Sequence, residues 1–282
     1  MRCHYLAQCY LNAFATKGDD PPAIWQYKKS TSELRKRGVK KIAQRTDYYV
    51  RTRGDERDES IEAFFSKVES RWEEVRRMLS RFAESASMPH GNDAPVPTID
   101  ELMFLLHFMF IHPLRAPNSM ERVRAHLTDD LPAGMSHETV NSVILESMIG
   151  FHDRHASAFV KSHIGKPLCV YVAPAGARST VLTSDNPVLM YRTSDDGVAD
   201  DLFDEAGSVV FPASRRVAVG FKPLDDSTPV HTKMLGNAEE LDQLNGLAIK
   251  HAVDEVYAYE PDYLERLLTD MGRTVKRREP AR

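Results

Sequence analysis

The sequence predicts an α+β fold: a central helical bundle with a mixed or antiparallel sheet built from N-terminal and C-terminal strands. Three observations carry this. β-prone runs occur near the start of the chain and again after Pro167. Between them, apolar residues recur at three- and four-residue spacing, the period of helices buried on one face. Strands and helices do not alternate, as a doubly wound parallel sheet requires.

Taken in order, His4 to Phe14 is apolar and reads as a short helix ended near Gly18 and Pro21-Pro22. Ile24-Trp25-Gln26-Tyr27-Lys28 alternates large and polar residues and reads as a strand. A basic turn containing Gly38 follows, then Val39–Ala43, then a second strand at Asp47-Tyr48-Tyr49-Val50. Ser60 to Phe82 is the clearest helix, with Ile61, Phe65, Val68, Trp72, Val75, Leu79 and Phe82 in helical register. Residues Ser85–Pro97 hold three prolines and a glycine and predict a loop. Thr98 is placed to cap the next helix, whose first turn carries Asp100 and Glu101. That helix is apolar nearly all round, so it is expected at the centre, bending or stopping near Pro113. Further helices are predicted from about Glu121 and from His137 through Phe159.

After Lys166-Pro167 come short β-prone runs at Leu168–Val172, Thr180–Thr183, Val188–Tyr191, Ser208–Phe211 and Val217–Phe221. Asn237–Ala252 is then helical and Glu255–Tyr259 a last strand. One α+β domain over residues 1–260 and a basic C-terminal tail over 261–282 are the expected organisation.

A hydrophobic content of 42% and a charged content of 28% are those of a globular protein and exclude wholesale disorder. The opening residues contain no apolar stretch of signal-peptide length. The most apolar segment, Leu102–Leu114, is interrupted by His107, His112 and Pro113 and is too short for a bilayer. A soluble, cytoplasmic protein without a membrane partner is expected. Cys3, Cys9 and Cys169 form no CxxC pair and leave an odd thiol, which argues against a disulfide framework and a structural zinc site.

The formal charge of −4 is unevenly spread. From Lys28 to Arg53 the local balance is +8, and from Arg273 to Arg282 it is +4, which leaves −16 on the rest. Lys28, Lys29, Arg35, Lys36, Arg37, Lys40 and Lys41 are therefore candidate binding residues for an anionic partner, nucleic acid above all. A solvated charge run is the plainer reading of the same residues.

Ser184-Asp185-Asn186-Pro187 follows an apolar run and must leave its strand at the proline. Asp185 either caps its own turn or projects into a cleft as general base or metal ligand. His4 and Gln8 lie four apart on the predicted first helix and so share a face. Imidazole can exchange protons near neutrality, and the amide can orient a water; a buried hydrogen-bonded pair is the alternative. Glu62 and Glu69 are two turns apart, a spacing that serves a divalent metal or merely a wet helix face. Arg115, at the end of the apolar helix, either complements its dipole or clamps an anion. Asn245 reads as a buried hydrogen-bonding residue or a ligand. His152 and His155, three apart, have a metal-compatible spacing without a third ligand, while His107 and His112 read as structural. The sequence holds no GxGxxG, P-loop, HExxH or GxSxG.

His4-Tyr5, Gln8, Tyr10-Leu11 and Phe14 resemble the opening signature of the domain-of-unknown-function family numbered 4238. The same order of features continues through Ile24-Trp25-Gln26-Tyr27, Asp47-Tyr48-Tyr49, Glu62 and Glu69, Arg115-Ala116-Pro117, Leu182–Val188, Phe211-Pro212 and Leu244-Asn245. The resemblance covers about residues 4–260. The chain departs from it at Ala7, where the family more usually has proline. It implies a complete domain and confers no activity.

Two functions from different classes are consistent with these residues. One is a nucleic-acid-processing, nuclease-like effector in bacterial stress or phage defence. There His4 or Asp185 would be the general base, with Gln8 orienting a water or carbonyl beside His4. Arg115 or a divalent metal on Asp185, Glu62 and Glu69 would supply the cation, and the basic segment the grip on phosphate. The other is a non-catalytic module that docks RNA or a partner protein through the basic segment. Both require folding to bring the two ends of the chain together.

Overall fold

The structure is a computed structural model and describes residues 2–16, 18–53, 56–86, 97–127, 135–174, 179–191, 207–222, 230–235 and 238–278. In chain order the elements are β1 (Arg2–His4), α1 (Gln8–Leu11), β2 (Ala23–Lys28), β3 (Glu33–Gly38), β4 (Gln44–Thr46), β5 (Arg51–Arg53) and β6 (Glu56–Asp58). The helical layer follows: α2 (Ser60–Glu69), α3 (Trp72–Ala86), α4 (Ile99–Arg115), α5 (Ser119–Leu127) and α6 (His137–His163). Then come β7 (Leu168–Val172), β8 (Thr183–Ser184), β9 (Leu189–Tyr191), β10 (Ser208–Ser214), β11 (Val217–Phe221) and β12 (Val230–Met234). The chain continues through α7 (Ala238–His251), β13 (Glu255–Ala258), α8 (Pro261–Asp270) and β14 (Lys276–Arg278).

The α+β class stands, but apart from the separate two-stranded sheets β1-β4 and β5-β6, the ten other strands form two five-stranded sheets rather than one. The first, in the order β14-β3-β2-β13-β8, joins N-terminal to C-terminal strands. The second, β12-β7-β11-β10-β9, is drawn from the C-terminal half alone. Both are mixed: β14 is parallel to β3 and β12 to β7, and the remaining pairs are antiparallel.

Alternation along the strands divides the interior into two cores. Val209 and Phe211 of β10, Val217, Val219 and Phe221 of β11, and Tyr257 of β13 join the core that includes α2, α3, α4 and α6. Val210, Ala218, Val256 and Ala258 point the other way, into the core with α7 and α8. Strands covered on both faces read as unbroken apolar runs, which is why β7, β10 and β11 carry β-branched residues without a polar side. The crossing is tight at Gly220, where a Cβ would meet Val210 Cγ2 at 2.8 Å.

Several local expectations change. His4 lies in β1, not on the first helix, which is only Gln8–Leu11. Ala7 has φ −56° and ψ 134°, a conformation proline also adopts, so the departure from the family pattern leaves this turn intact. The basic turn is β3, a regular partner of β2. Asp47-Tyr48-Tyr49 is a turn because Asp47 takes φ +52°, a left-handed conformation in which aspartate is among the less disfavoured residues. The long helix from Ser60 breaks at Ser70-Arg71, giving α2 and α3. The predicted strand at Thr180–Thr183 shrinks to β8, because Leu182 N–H goes to a side chain instead of a ladder. Residues 261–278, expected as tail, form α8 and β14, whose bonds to β3 extend the first sheet. Most of the predicted loop Ser85–Pro97 lies outside the described residues.

α4 starts as its sequence demands. Thr98 Oγ1 accepts from Glu101 N, and Glu101 Oε2 accepts from Thr98 N at 2.7 Å, a reciprocal capping box. Thr98→Ala is expected to lower stability by about 1 kcal/mol, read as a shift of the urea midpoint at unchanged slope. No helix among the described residues is long and apolar enough to cross a membrane.

Candidate functional site

The first polar cluster is built around one buried cation. β1 pairs with β4, placing Cys3 opposite Arg45 and His4 opposite Gln44. Tyr5 N then donates to Ala43 O at 2.9 Å, and the chain turns into α1. From the last turn of α4, Arg115 reaches this turn with only 2% of its surface exposed. Its Nη1 donates to Glu69 Oε1 at 2.5 Å, and its Nη2 donates to the His4 carbonyl. The Phe65 ring lies 4.3 Å from the guanidinium carbon, and Tyr49 lies 5.6 Å away, in the range where cation–π attraction offsets lost hydration. Tyr49 Oη donates to the Arg115 carbonyl at 3.3 Å. Burial works against the charged guanidinium, but Tyr49 and Glu69 outweigh it and raise its pKa. Arg115 is thus a fixed interior charge. It is not the accessible anion clamp the sequence suggested: Nη1 and Nη2 are engaged inside the fold, and Nε is buried without a hydrogen-bond partner.

His4 and Gln8 do meet, with Nε2 to Nε2 at 2.9 Å. The amide nitrogen can only donate, so the imidazole accepts at Nε2 and carries its proton on Nδ1. Burial, aided by Arg115 and opposed by Glu69, lowers the His4 pKa, so the ring is neutral near pH 7. Glu62 moves the opposite way. Burial raises its pKa against the pull of Arg115, with Glu69 and Glu59 adding to the rise. Its Oε2 is buried without a hydrogen-bond partner. Burial pushes the Cys9 thiol up to about 11 and the Cys3 thiol up as well, so neither is a ready nucleophile.

Asp185 belongs to a different network. Its side chain has no exposure, and its two oxygens accept from Val253 N, Asp254 N and Glu255 N at 2.7, 2.8 and 2.9 Å. The neighbouring turn is closed by Ser184 Oγ, which accepts from Asn186 N and donates to Asn186 O. Burial raises the Asp185 pKa to about 6 although the three N–H groups favour the anion. Its acceptors brace the chain before β13, so the general-base and metal-ligand assignments are corrected to a structural one. Asn245 is likewise a latch: Oδ1 accepts from Leu182 N, and Nδ2 reaches Thr180 O and Tyr263 Oη.

The two ends of the chain do come together. Tyr5 Oη donates to Glu255 Oε2 at 2.9 Å, and Tyr257 Oη donates to the same oxygen. Tyr10 Oη bonds Thr183 Oγ1 at 2.5 Å and Pro212 O at 2.8 Å. Tyr5, Tyr10 and Glu255 were not singled out from sequence, because the signal is a pairing across about half the chain or more.

Much of the basic segment is committed within the fold. Lys28 lies 3.5 Å from Asp254 and 3.9 Å from Glu255, Lys36 lies 2.8 Å from Asp19, and Arg35 lies 3.6 Å from Glu33. Lys29 donates to the carbonyls of Lys250 and Ala252 at the end of α7. The Arg37 Nε is buried without a partner. Lys40 and Lys41 are exposed, just before the β4 strand that carries Arg45. No three His, Cys, Asp or Glu among the described residues are grouped to hold a metal. Glu62 and Glu69 share the Arg115 cluster, while Asp185 is bound to the opposite network, so that ligand set is not assembled.

These features define an α+β protein with a buried arginine at the centre of a polar cluster formed with His4, Gln8, Glu62 and Glu69. The chain matches, over residues 2–262, the family described as protein of unknown function (DUF4238), and it belongs to that family. No curated protein and no solved structure matches it.

Proposed function

We propose that the chain is a nucleic-acid-processing enzyme that cleaves RNA by acid–base chemistry at the His4–Gln8–Glu62–Glu69–Arg115 cluster. The observation that carries this is the opposed tuning of two titratable groups around one fixed cation. His4 is held neutral and Glu62 is biased toward its protonated form, the division of labour between base and acid. RNA fits because its 2′-hydroxyl supplies the nucleophile. Released from Gln8, His4 Nε2 takes the 2′-hydroxyl proton as the 2′-oxygen attacks phosphorus. The bond to the 5′-oxygen breaks, and that oxygen leaves with the proton of Glu62. The products are a 2′,3′-cyclic phosphate and a 5′-hydroxyl. Exposed Lys40 and Lys41, with Arg45 on the strand beside His4, supply the grip on the backbone. The exposed Arg45–Glu121 pair at 2.9 Å costs little to break. A cytoplasmic effector in bacterial stress or phage defence is the setting that goes with this reading.

The test incubates the purified chain with end-labelled RNA and DNA, with EDTA, Mg²⁺ or Mn²⁺. RNA cleavage with cyclic-phosphate ends in EDTA is expected, reduced about 10²–10⁴-fold in folded His4→Ala and Glu62→Gln. Intact RNA under every condition, or full activity in His4→Ala, would sink the proposal. Cleavage only with a divalent ion would replace it with a metal-dependent nuclease.

A second reading, a non-catalytic module docking RNA or a partner protein, is favoured by the sealing of Arg115, Asp185 and Asn245 inside the fold. It predicts RNA retention without cleavage, lost in Lys40→Glu/Lys41→Glu.

A further inference from the structure

Two histidines that sequence spacing keeps apart face each other between α4 and α6. His107 Nε2 and His152 Nε2 are 2.7 Å apart, with ring centroids at 5.0 Å. His152 Nδ1 is 3.1 Å from Asp153 Oδ1. That carboxylate can only accept, so it holds the His152 proton on Nδ1 and leaves the Nε2 lone pair aimed at His107. A carboxylate behind an imidazole is the arrangement that orients metal-ligating histidines and raises their basicity. His155, the partner suggested by the three-residue spacing, instead stacks on Phe151 at 4.5 Å between centroids.

We propose that His107 and His152 together form a binding site for a single borderline transition-metal ion, of the class of Zn²⁺, Ni²⁺ or Cu²⁺. Imidazole nitrogens suit these ions and not Mg²⁺ or Ca²⁺. A tetrahedral ion with bonds of about 2.0–2.1 Å needs its two nitrogens about 3.3 Å apart, so the present pair must open by roughly 0.6 Å. His107 then moves its proton from Nε2 to Nδ1, and the hydrogen bond between the rings gives way to two metal–nitrogen bonds. No third His, Cys, Asp or Glu among the described residues completes the set. The remaining positions would therefore be taken by water. The site does not depend on RNA cleavage at the Arg115 cluster.

The full chain, stripped with EDTA and desalted, is titrated with ZnCl₂, NiCl₂ and MgCl₂ in a calorimeter. One equivalent of Zn²⁺ or Ni²⁺ and no Mg²⁺ is expected to bind. Affinity should fall at least 10-fold in His107→Ala and about 10–100-fold in Asp153→Asn, with His155→Ala unchanged. Asp153 is a surface residue, so its variant remains informative if loss of His107 disturbs the helices. Absence of saturable binding overturns the site, as does binding undiminished in both His107→Ala and Asp153→Asn. Loss of binding on His155→Ala alone would assign the ion to an adventitious surface pair and overturn it equally.

Discussion

Arg115→Ala is expected to destabilise the protein by about 3–5 kcal/mol, the cost of breaking a buried ion pair from one side. The guanidinium serves Glu69, the His4 carbonyl and the faces of Phe65 and Tyr49 at once. Alanine leaves a cavity, an acceptor without its donor and a carboxylate without its counter-charge. Glu69 retains 23% side-chain exposure, so water can compensate part of the last loss and the lower end of the range is favoured. Arg115→Met separates packing from polarity, because it refills most of the volume and removes the cation together with its hydrogen bonds to Glu69 and the His4 carbonyl. If the pair serves the fold alone, Arg115→Met with Glu69→Gln should recover most of the stability, since buried pairs are often replaceable by apolar residues. If the cation tunes His4 and Glu62, the same double variant should fold yet have a shifted pH–rate profile. Urea unfolding reads the first outcome. A loss below about 1 kcal/mol in Arg115→Ala would show that Arg115 is less engaged than its contacts indicate.

The second large effect is expected at Asp185. Asp185→Ala strips three N–H groups, the part-buried ones of Val253 and Asp254 and the buried one of Glu255, of their acceptor. At about 1–3 kcal/mol for each unsatisfied group, with some relief from water, a loss of several kcal/mol follows. Asp185→Asn should recover part of the loss, because its oxygen in the place of Oδ2 still accepts from Asp254 N and Glu255 N, while its amide nitrogen points a donor at Val253 N. The pH dependence has a definite sign. A carboxyl held near pKa 6 in the fold, against 3.8 when unperturbed, binds more protons native than unfolded between those values. Its contribution is fully present below about pH 4 and is lost as pH rises through 6, by up to roughly 3 kcal/mol. The penalty of Asp185→Ala should therefore shrink between pH 4.5 and 7.5. A penalty that grows instead would mean that the three N–H groups outweigh burial and hold the carboxyl ionised throughout.

How much of the candidate site was legible follows the range of the interactions. His4 and Gln8 were paired correctly from a four-residue interval, although β1 and a tight turn, not a helix, make the pair. Glu62 and Glu69 were placed on one face of α2, and Arg115 at its helix end, but nothing local showed that Arg115 would turn inward to meet them. Asp185 was recognised as a turn residue. The three N–H groups its two oxygens accept from lie about 70 residues away, so the choice between brace and catalyst does not follow from its neighbours. His107 was set aside with His112, and its partner His152 stands 45 residues on.

What the sequence determined alone is local: the capped start of α4, the apolar periodicity of α2, α3 and α4, the β-branched runs of β7, β10 and β11, and the class of fold they compose. These depend on backbone preference and on which face is apolar, and both are written in intervals of a few residues. Only the tertiary structure decided that the main strands divide between two five-stranded sheets, that residues 261–278 complete one of them, and which charges are sealed inside. Sheet order and ion pairing depend on which distant surfaces exclude water together, a property of the whole packed chain that no interval along it records.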